Sequence, residues 1–468
     1  MGPMISRIRP RLIGAGQVAL AASAVLALTL LGGSAAHADS VTPPAVAVGQ
    51  SPNAVVFSPD GSRAYTANLS SNTVSVLDAT AVPPVVISTV SVGAAPIELA
   101  ISPDGSRVYV SNTYGSTVSV IDTAASPPVQ ISTISVGSRP YGIAVSPDGT
   151  LLLVTRYYDN VVTAVDISMP VPVLISSVGV GVNPIGVAFA PDGLRAYVTN
   201  QTGDSVTVID TSASVPTVLG PSIPVAGNPT GIAFSPDGSK AYVTSVSSNV
   251  LTVIANTAIP VVSSTLSVGS RPWGIAISPD GTRAYITLEQ AAGEIVVVNL
   301  TGGVPVVTQT LTVGSHPFGV AFSPDGRTAY VANYSSDSLS VIAVNAAPQL
   351  DSTAPPAAVM GTAYSFTIAA TGRPAPSFSI SAGSLPTGLT LNSVTGVISG
   401  TASAPGSFAF TVTATNAEGS DSEAYALAVS GALAPTGVSP SVAIVAAALL
   451  LSAGLGLSIA RRRGIATR

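Results

Sequence analysis

The chain has no cysteine, only two histidines and only 8% charged residues among its 468 residues. Without cysteine it can form neither disulfides nor thiolate metal sites, and Cys–His catalysis is excluded. We expect His37 to be removed by processing, so a Ser-His-Asp triad would have to use His316. Zinc sites built from three histidines are excluded in the same way. These absences predict that the protein is not an enzyme and needs no cofactor.

Basic residues are scarcer in the body of the chain than the total of 17 suggests. Seven of them lie in terminal segments that we expect to be removed, namely Arg7, Arg9, Arg11, Arg461, Arg462, Arg463 and Arg468. All 22 acidic residues lie between those segments, which leaves 10 basic residues and a formal charge of −12. This charge argues against nucleic acid as a partner.

Glycine, proline and β-branched residues are abundant, and they recur in a regular pattern. The stretch Ser58-Pro-Asp-Gly-Ser-Arg-Ala-Tyr65 returns seven times with small changes. Its aspartate falls at Asp60, Asp104, Asp148, Asp192, Asp237, Asp280 and Asp325, at spacings of 43 to 45 residues. Pro, Asp and Gly are the residues that a tight turn requires, and strand-like runs flank each copy. Each copy therefore predicts a hairpin inside a longer repeated unit.

One unit, residues 138–181, shows four strand-like segments: 141–145, 151–155, 161–166 and 173–180. Seven four-stranded units predict an all-β, seven-bladed propeller over residues 41–345. The last unit lacks a fourth strand, whereas residues 43–49 look like the end of one. We therefore expect residues 43–49 to complete the seventh blade. Deleting residues 39–50 should then lower the melting temperature sharply.

The second strands carry a family resemblance. Ala196-Tyr-Val-Thr-Asn200, Tyr109-Val-Ser-Asn112 and Tyr330-Val-Ala-Asn333 resemble the YVTN family of propeller repeats. The resemblance covers about 300 residues and implies an extracellular or cell-surface seven-bladed propeller. It implies little about ligands, because function lies in sites rather than in folds.

Residues 346–430 differ in character from the repeats. Segments such as Ser384-Leu-Pro-Thr-Gly-Leu-Thr-Leu-Asn392 and Phe408-Ala-Phe-Thr-Val-Thr-Ala-Thr-Asn416 resemble the bacterial putative-Ig family, which implies a small β-sandwich stalk. Four acidic residues in or beside this region are candidates for a calcium site or simply solvated surface charges: Asp351, Glu418, Asp421 and Glu423.

The two ends of the chain predict the cellular location of the protein. Residues 1–38 are typical of a signal peptide, with Ala36 and Ala38 as the cleavage-site residues; an uncleaved anchor is the alternative. Residues 431–468 contain an apolar run at 438–460 followed by arginines, so they are able to span a bilayer. The run is preceded by a pentapeptide made of Leu433, Ala434, Pro435, Thr436 and Gly437.

This order of motif, span and basic tail resembles a Gram-positive sortase signal of the Leu-Ala-x-Thr-Gly form associated with class E sortases. The resemblance implies that a sortase attacks the Thr436 carbonyl, expels Gly437 and joins Thr436 to an amine of the peptidoglycan. The protein would then be secreted and anchored to the cell wall. A simple C-terminal membrane anchor is the alternative.

The remaining hypothesis concerns a ligand face on the rim opposite the Pro-Asp-Gly turns. Arginines and aromatic residues gather in the loops assigned to this rim, where they offer hydrogen bonding and stacking to a glycan or protein ligand. The candidate residues are Arg139, Tyr141, Arg156, Tyr157, Arg271, Trp273, His316 and Phe318. The alternative is that the aromatic residues plug the channel of the propeller.

Taken together, these observations predict a wall-anchored binding or adhesion protein without catalytic activity. Two alternatives remain open: a propeller enzyme of the lactonase or hydrolase kind, and a structural envelope component without a specific ligand.

Overall fold

A computed structural model describes residues 39–431 of the protein. The predicted fold class is confirmed for these residues: an all-β chain forms a propeller followed by an Ig-like domain. The predicted signal peptide with Ala36 and Ala38, and the sorting signal at residues 433–437 with its apolar run, lie outside the described residues. Between residues 39 and 431, no helix is long and apolar enough to cross a membrane.

The propeller strands follow the repeat closely. The chain begins with β1 (Ser40–Ala47). Blades one to three contain β2 (Pro52–Phe57), β3 (Arg63–Asn68), β4 (Thr73–Asp78), β5 (Val85–Ser91), β6 (Pro96–Ile101), β7 (Arg107–Asn112), β8 (Thr117–Asp122), β9 (Val129–Ser135), β10 (Pro140–Val145), β11 (Leu151–Arg156), β12 (Val161–Asp166) and β13 (Val173–Gly179). The strands of the third blade agree with the predicted segments to within one residue.

The outer strand of the fourth blade is split into two short pieces. Blades four to six contain β14 (Pro184–Phe189), β15 (Arg195–Asn200), β16 (Ser205–Asp210), β17 (Thr217–Val218), β18 (Ile223–Pro224), β19 (Pro229–Phe234), β20 (Lys240–Ser245), β21 (Val250–Ala255), β22 (Val261–Ser267), β23 (Pro272–Ile277), β24 (Arg283–Leu288), β25 (Glu294–Asn299) and β26 (Val306–Thr312).

The seventh blade is assembled from both ends of the repeat region. Its three inner strands are β27 (Pro317–Phe322), β28 (Thr328–Asn333) and β29 (Ser338–Ala343), with one 3₁₀ turn at Tyr334–Ser336. Its outer strand is β1, which runs antiparallel to β29 with Ser40 opposite Ala343 and Ala47 opposite Ser338. The register shifts between Thr42 and Val46. The first described residues are therefore bonded to the last repeat.

Tyrosines of the second strands pack between neighbouring blades. Tyr285 and Tyr330 are at most 1% exposed, and their rings lie 4.4 Å from Phe322 and 4.6 Å from Phe57, respectively. Such aromatic pairs bury large apolar areas in each blade contact. Burial also raises the pKa of Tyr330 to about 12.

The Pro-Asp-Gly turns are closed by their own side chains. In the first copy, Ser58 Oγ donates to Asp60 Oδ1 at 2.6 Å and accepts from the Arg63 amide at 2.9 Å. Asp60 Oδ1 also accepts from the Ser62 amide at 3.0 Å. Together these hydrogen bonds hold the pKa of Asp60 below its usual value, since they favour the ionised form. The repeated aspartates therefore build turns, and their contacts provide no acid–base site.

The fourth turn offers a natural test of this arrangement, because Ala190 stands where six copies have serine. Asp192 keeps the bond from the Leu194 amide at 3.0 Å but has no hydroxyl to accept from. Ala190→Ser should restore both serine bonds and raise the free energy of unfolding by about 1 kcal/mol. Chemical denaturation measures this gain, and Ala190→Val provides the control with added volume but no hydroxyl. An unchanged or lower stability in the serine variant would contradict the proposed role of the turn.

The Ig-like domain follows directly after the last blade. Its strands are β30 (Ala346–Leu350), β31 (Ala358–Val359), β32 (Ala363–Thr367), β33 (Ala370–Arg373), β34 (Ser377–Gly383), β35 (Leu389–Leu391), β36 (Val397–Thr401), β37 (Gly406–Asn416) and β38 (Gly419–Ser430). They form sheets in the orders β31-β38-β37-β34, β32-β36-β35 and β30-β33. Buried Ile398, Phe410 and Leu427 belong to the core between the sheets.

One arginine of this domain contacts the propeller. Arg373 Nε donates to the Val344 carbonyl at 2.7 Å, and its Nη2 donates to the Gly326 carbonyl at 3.0 Å. Gly326 belongs to the Pro-Asp-Gly turn of blade seven, so the Ig-like domain contacts the propeller face that carries these turns. The opposite face carries the loops in which we placed the ligand hypothesis.

The acidic residues considered for calcium have local partners. Asp421 Oδ2 accepts from the Leu350 amide at 2.8 Å, and Glu423 Oε2 accepts from the Tyr425 hydroxyl at 2.9 Å. Throughout the described range, no group of three or more Asp, Glu or His side chains is arranged to hold a metal ion. The calcium hypothesis for Asp351, Glu418, Asp421 and Glu423 therefore gains no support from the geometry.

Candidate active site

The innermost strands of the seven blades surround a cavity of ≈ 180 Å³. Aliphatic side chains such as Val55, Ile143 and Val320 form part of its wall. Its polar and aromatic lining consists of Asn53, Glu98, Tyr141, Thr230, Trp273 and Phe318. Tyr141, Trp273 and Phe318 each follow the proline that opens an inner strand, so they lie at the end of the channel opposite the Pro-Asp-Gly turns.

Hydroxyl groups of the second strands fix the backbone of this wall. Thr244 Oγ1 donates to the Trp273 carbonyl at 2.5 Å, and Thr287 Oγ1 donates to the Phe318 carbonyl at 2.6 Å. Ser111 Oγ donates to the Tyr141 carbonyl at 2.6 Å in the same way. Each bond joins one blade to the next, so the Thr of the Tyr-Val-Thr-Asn pattern positions the aromatic residues of the channel.

Glu98 is the carboxylic acid of the cavity wall, and it occupies an unusual position. Five other blades have glycine there: Gly142, Gly186, Gly231, Gly274 and Gly319. The neighbouring blade approaches those glycines closely; a Cβ at Gly142 would lie 2.1 Å from the Ile185 carbonyl oxygen. Close packing between blades therefore favours glycine at this position and does not explain the glutamate in blade two.

Burial raises the pKa of Glu98 to about 7. One weak bond opposes this effect, because Glu98 Oε1 accepts from the Leu99 amide at 3.4 Å. No lysine, arginine or histidine within residues 39–431 forms an ion pair with Glu98. A carboxylate with a pKa near neutrality is suited to act as a general base, since it can both take up and release a proton at physiological pH.

Tyr141 lies on the same wall and remains a hydrogen-bond donor. Burial raises the pKa of its hydroxyl, and the nearby charge of Glu98 raises it further. The phenol is therefore protonated across the physiological range and is suited to donate to a developing oxyanion.

The structure brings three of the eight predicted ligand-face residues together in the channel: Tyr141, Trp273 and Phe318. All three lie at the start of inner strands, where they line the channel, as in the alternative in which the aromatic residues plug it. The rings of Trp273 and Phe318 meet edge to face at 5.1 Å. Tyr157 lies beside the channel wall, with its ring 6.3 Å from that of Tyr141.

The other predicted residues have separate roles. Arg156 pairs with Asp159, and Arg271 pairs with Glu289. His316 Nδ1 lies 3.0 Å from Ser335 Oγ and 3.1 Å from Ser315 Oγ, outside the cavity lining. Arg139 stacks on tyrosine rings at the rim.

Sequence reasoning missed Glu98 and Asn53. No spacing or motif distinguishes either residue, because each is one polar residue on an otherwise apolar strand. The signal that would have found Glu98 is its place in the repeat: Ile97-Glu-Leu-Ala100 aligns with Tyr141-Gly-Ile-Ala144 and its equivalents. Asn53 Nδ2 donates to the Ile97 carbonyl at 3.0 Å, so it links blades one and two beside Glu98.

The family model for the seven-bladed lactonase β-propeller matches residues 32–170 and 255–360, just over half of the chain. The chain belongs to the lactonase family of seven-bladed β-propellers. In this lactonase-family protein the propeller is followed by a second match, at residues 347–430, to the family described as Putative Ig domain. No curated protein matches the chain.

Solved structures share the propeller fold of this lactonase-family protein. Hydrazine synthase of Kuenenia stuttgartiensis is 25% identical, with a TM-score of 0.57 over 63% of this chain and 96% of that chain. A Bacteroides uniformis protein described as a putative 6-phosphogluconolactonase is 19% identical, with a TM-score of 0.53 over 59% and 89% of the two chains. A Bacteroides fragilis protein with the same description is 17% identical, with a TM-score of 0.51 over 57% and 85%.

The prediction that the protein is not an enzyme is therefore wrong. It relied on the scarcity of histidine and the lack of metal-ligand clusters. Membership of the lactonase family points to a hydrolase. The physical reason for the error is that a carboxylic acid partly buried in the channel wall needs neither histidine nor a motif to acquire a pKa near neutrality.

Proposed function

We propose that the propeller hydrolyses a small ester or lactone at the mouth of its channel, with Glu98 as the general base. The observation that carries the proposal is the position of Glu98 in the wall of the channel cavity, where burial raises its pKa to about 7. The lactonase-family match and the similarity to proteins described as 6-phosphogluconolactonases support this reaction class.

The proposed reaction uses groups that line the channel. The Glu98 carboxylate takes a proton from water, and the oxygen of that water attacks the carbonyl carbon. The Tyr141 hydroxyl donates to the carbonyl oxygen as it becomes an oxyanion. Collapse of the tetrahedral intermediate breaks the bond between carbon and the ester oxygen, and the Glu98 carboxylic acid returns the proton to the departing alkoxide.

The lining also limits the substrate. It includes Glu98 but no arginine, lysine or histidine, so a phosphate group would meet a negative charge without a counter-charge. We therefore propose a lactone or ester whose reacting ring carries no charge. Hydrolysis creates a carboxylate, which ionised Glu98 repels, so product leaves more readily than substrate.

Hydrolysis of uncharged and phosphorylated δ-lactones by the purified protein tests this function, with the spontaneous rate subtracted and divalent metal ions added or omitted. Wild-type protein should hydrolyse uncharged δ-lactones faster than phosphorylated ones, and Glu98→Gln should be inactive. Glu423→Gln, in the Ig-like domain, is the matched control and should retain full activity. Equal rates for Glu98→Gln and wild type would refute the proposed base.

We also propose that the enzyme is secreted and joined to the peptidoglycan by a class E-like sortase. The sequence order of the Leu433–Gly437 pentapeptide, the apolar run and the arginines supports this location. The contact of Arg373 with the Pro-Asp-Gly face is compatible with it, because the channel mouth lies on the opposite face. A wall-bound propeller held in this way would present its mouth to the surroundings.

Thr436→Ala removes the threonine side chain by which a sortase would recognise its cleavage site, so the protein should move from the wall fraction to the membrane fraction. Cell fractionation followed by immunoblotting measures the shift. Thr395→Ala, in the Ig-like domain, serves as the control and should leave the wall-bound fraction unchanged. Continued wall attachment of Thr436→Ala would exclude the sortase mechanism.

A further inference from the structure

A continuous set of aromatic contacts leads from the channel to the outer rim of blades two and three. The ring of Tyr157 lies 6.3 Å from Tyr141 in the channel wall and 5.1 Å from Tyr158. The Arg139 guanidinium carbon lies 5.3 Å from the centre of the Tyr158 ring and 4.4 Å from that of Tyr114. We call these five residues, Tyr114, Arg139, Tyr141, Tyr157 and Tyr158, the tyrosine track.

The outer end of the track is open to solvent. Tyr114 is 66% exposed and Tyr158 is 60% exposed, whereas the tyrosines on the second strands of the blades are at most 2% exposed. The equivalent loop position holds a polar residue without an aromatic ring in every other blade: Ser70, Thr202, Ser247, Gln290 and Ser335. The loop therefore does not require an aromatic residue, and the exposed rings are available for stacking against a flat ligand.

Arg139 differs from the other arginines on this rim. Arg156 and Arg271 are paired with carboxylates, but no acidic side chain in the described part of the chain pairs with Arg139. Its backbone φ of 51° is a conformation that Asn tolerates better than Arg, and Asn183 and Asn228 occupy the same place in blades four and five. The Arg139 guanidinium lies over the rings of Tyr114 and Tyr158, and in this arrangement its N–H groups can bond an anion.

We propose that the tyrosine track binds a chain of acidic sugars, whose terminal ring enters the channel. The rings of Tyr114 and Tyr158 stack on sugar rings, and the Arg139 guanidinium bonds a sugar carboxylate. Cleavage of the terminal ring inside the channel rests on the proposed hydrolysis. The carboxyl group of that ring enters the channel as an uncharged ester or lactone.

The size of the channel supports a chain that lies mostly outside it. A cavity of ≈ 180 Å³ is close to the roughly 150 Å³ of an engineered cavity that binds benzene, so it accommodates about one six-membered ring. Further sugar units must lie beyond the mouth, and the track supplies a surface that is continuous with the channel wall.

Calorimetric titration of the full-length protein in mild detergent tests the track. The probes are trimers of galacturonate, mannuronate and guluronate in which the carboxyl group of the terminal ring is a methyl ester, each compared with the neutral trimer of the matching sugar. At least one acidic trimer should bind at least about tenfold more tightly than its neutral counterpart, since a charge-assisted hydrogen bond contributes that much. Arg139→Asn, which copies blades four and five, should abolish this preference and keep the fold.

Arg271→Asn is the matched control, because Arg271 occupies the same loop position but is paired with Glu289; it should bind as the wild type does. Tyr114→Ser with Tyr158→Ser, which copies other blades, should weaken every trimer. No binding of any acidic trimer, or unchanged binding by Arg139→Asn, would overturn the track. Binding of acidic trimers without hydrolysis of any lactone would keep the track and reject the proposed function. Hydrolysis of a lactone without binding of any acidic trimer would keep the proposed function and reject the track.

Discussion

The Glu98→Gln variant should be more stable than the wild-type protein at pH 8 and should lose hydrolytic activity. In the folded protein burial raises the pKa of Glu98 to about 7, against 4.5 for an exposed glutamate. Between these values the folded chain binds a proton that the unfolded chain does not. Stability contributed by Glu98 is therefore complete below pH 4.5 and declines as the pH rises towards 7.

The expected size of this effect follows from the difference in pKa. A rise from 4.5 to about 7 corresponds to a loss on the order of 3 kcal/mol above pH 7. Glutamine has no charge to desolvate and nearly the same shape. At pH 8 the variant should melt about 5 °C or more above the wild type, and at pH 4 the two should melt together.

Activity should depend on the opposite protonation state. Only the ionised carboxylate can accept a proton from water, so kcat/KM of the wild type should fall about tenfold per pH unit below 7. The variant should lose at least about 100-fold in kcat/KM at pH 8. Differential scanning calorimetry and a pH-stat assay measure the two effects on the same samples. Similar melting temperatures at pH 8 would show that Glu98 is not held as an unpaired buried charge.

Much of the fold was predictable from the sequence because the Pro-Asp-Gly turn is a local device. Each copy closes through bonds within about five residues, as between Ser58, Asp60 and Arg63. Local chemistry of this kind is visible in the order of the residues, and its regular return counts the blades. The same reasoning explains why strands of the third blade could be placed to within one residue.

The channel was less predictable because it depends on contacts between blades. The ladder between β10 and β11 shifts register after Pro140, where the Gly142 amide donates to Thr155 Oγ1 at 2.8 Å. The shift interrupts the regular alternation of side chains between the two faces of the strand. Tyr141, which lies within the shifted segment, lines the channel. The pKa of Glu98 is likewise a property of the assembled ring, since only burial among the seven inner strands creates it.

The role of Asp39, the first described residue, was also not predictable from the sequence. Its side chain is 2% exposed and ionically bonded to Arg283 Nη1 at 2.7 Å. It accepts further bonds from the Tyr285 hydroxyl at 2.6 Å and from the Asn345 amide at 2.8 Å. Asp39 thus joins blade six to the end of blade seven, at the point where the ring must close.

Asp39→Ala should therefore destabilise the protein strongly. Removing one partner of a buried ion pair leaves the other charge without compensation, which costs about 3–5 kcal/mol. The melting temperature should fall by roughly 6–20 °C, because a loss of 1 kcal/mol shifts a domain of this order of size by about 2–4 °C. Thermal unfolding followed by circular dichroism measures the change.

Blade four supplies the matched control for this variant. There Tyr197 donates to Asn256 Oδ1 at 2.7 Å, and Arg195 Nη1 donates to the Thr257 carbonyl at 2.7 Å, so a neutral side chain and a carbonyl occupy the place of the Asp39 carboxylate. Asn256→Ala should cost only about 1 kcal/mol, since it removes neutral hydrogen bonds. If Asp39→Ala costs no more than Asn256→Ala, the closing contact is an ordinary blade contact. If it costs several times more, the carboxylate of Asp39 holds the ring closed.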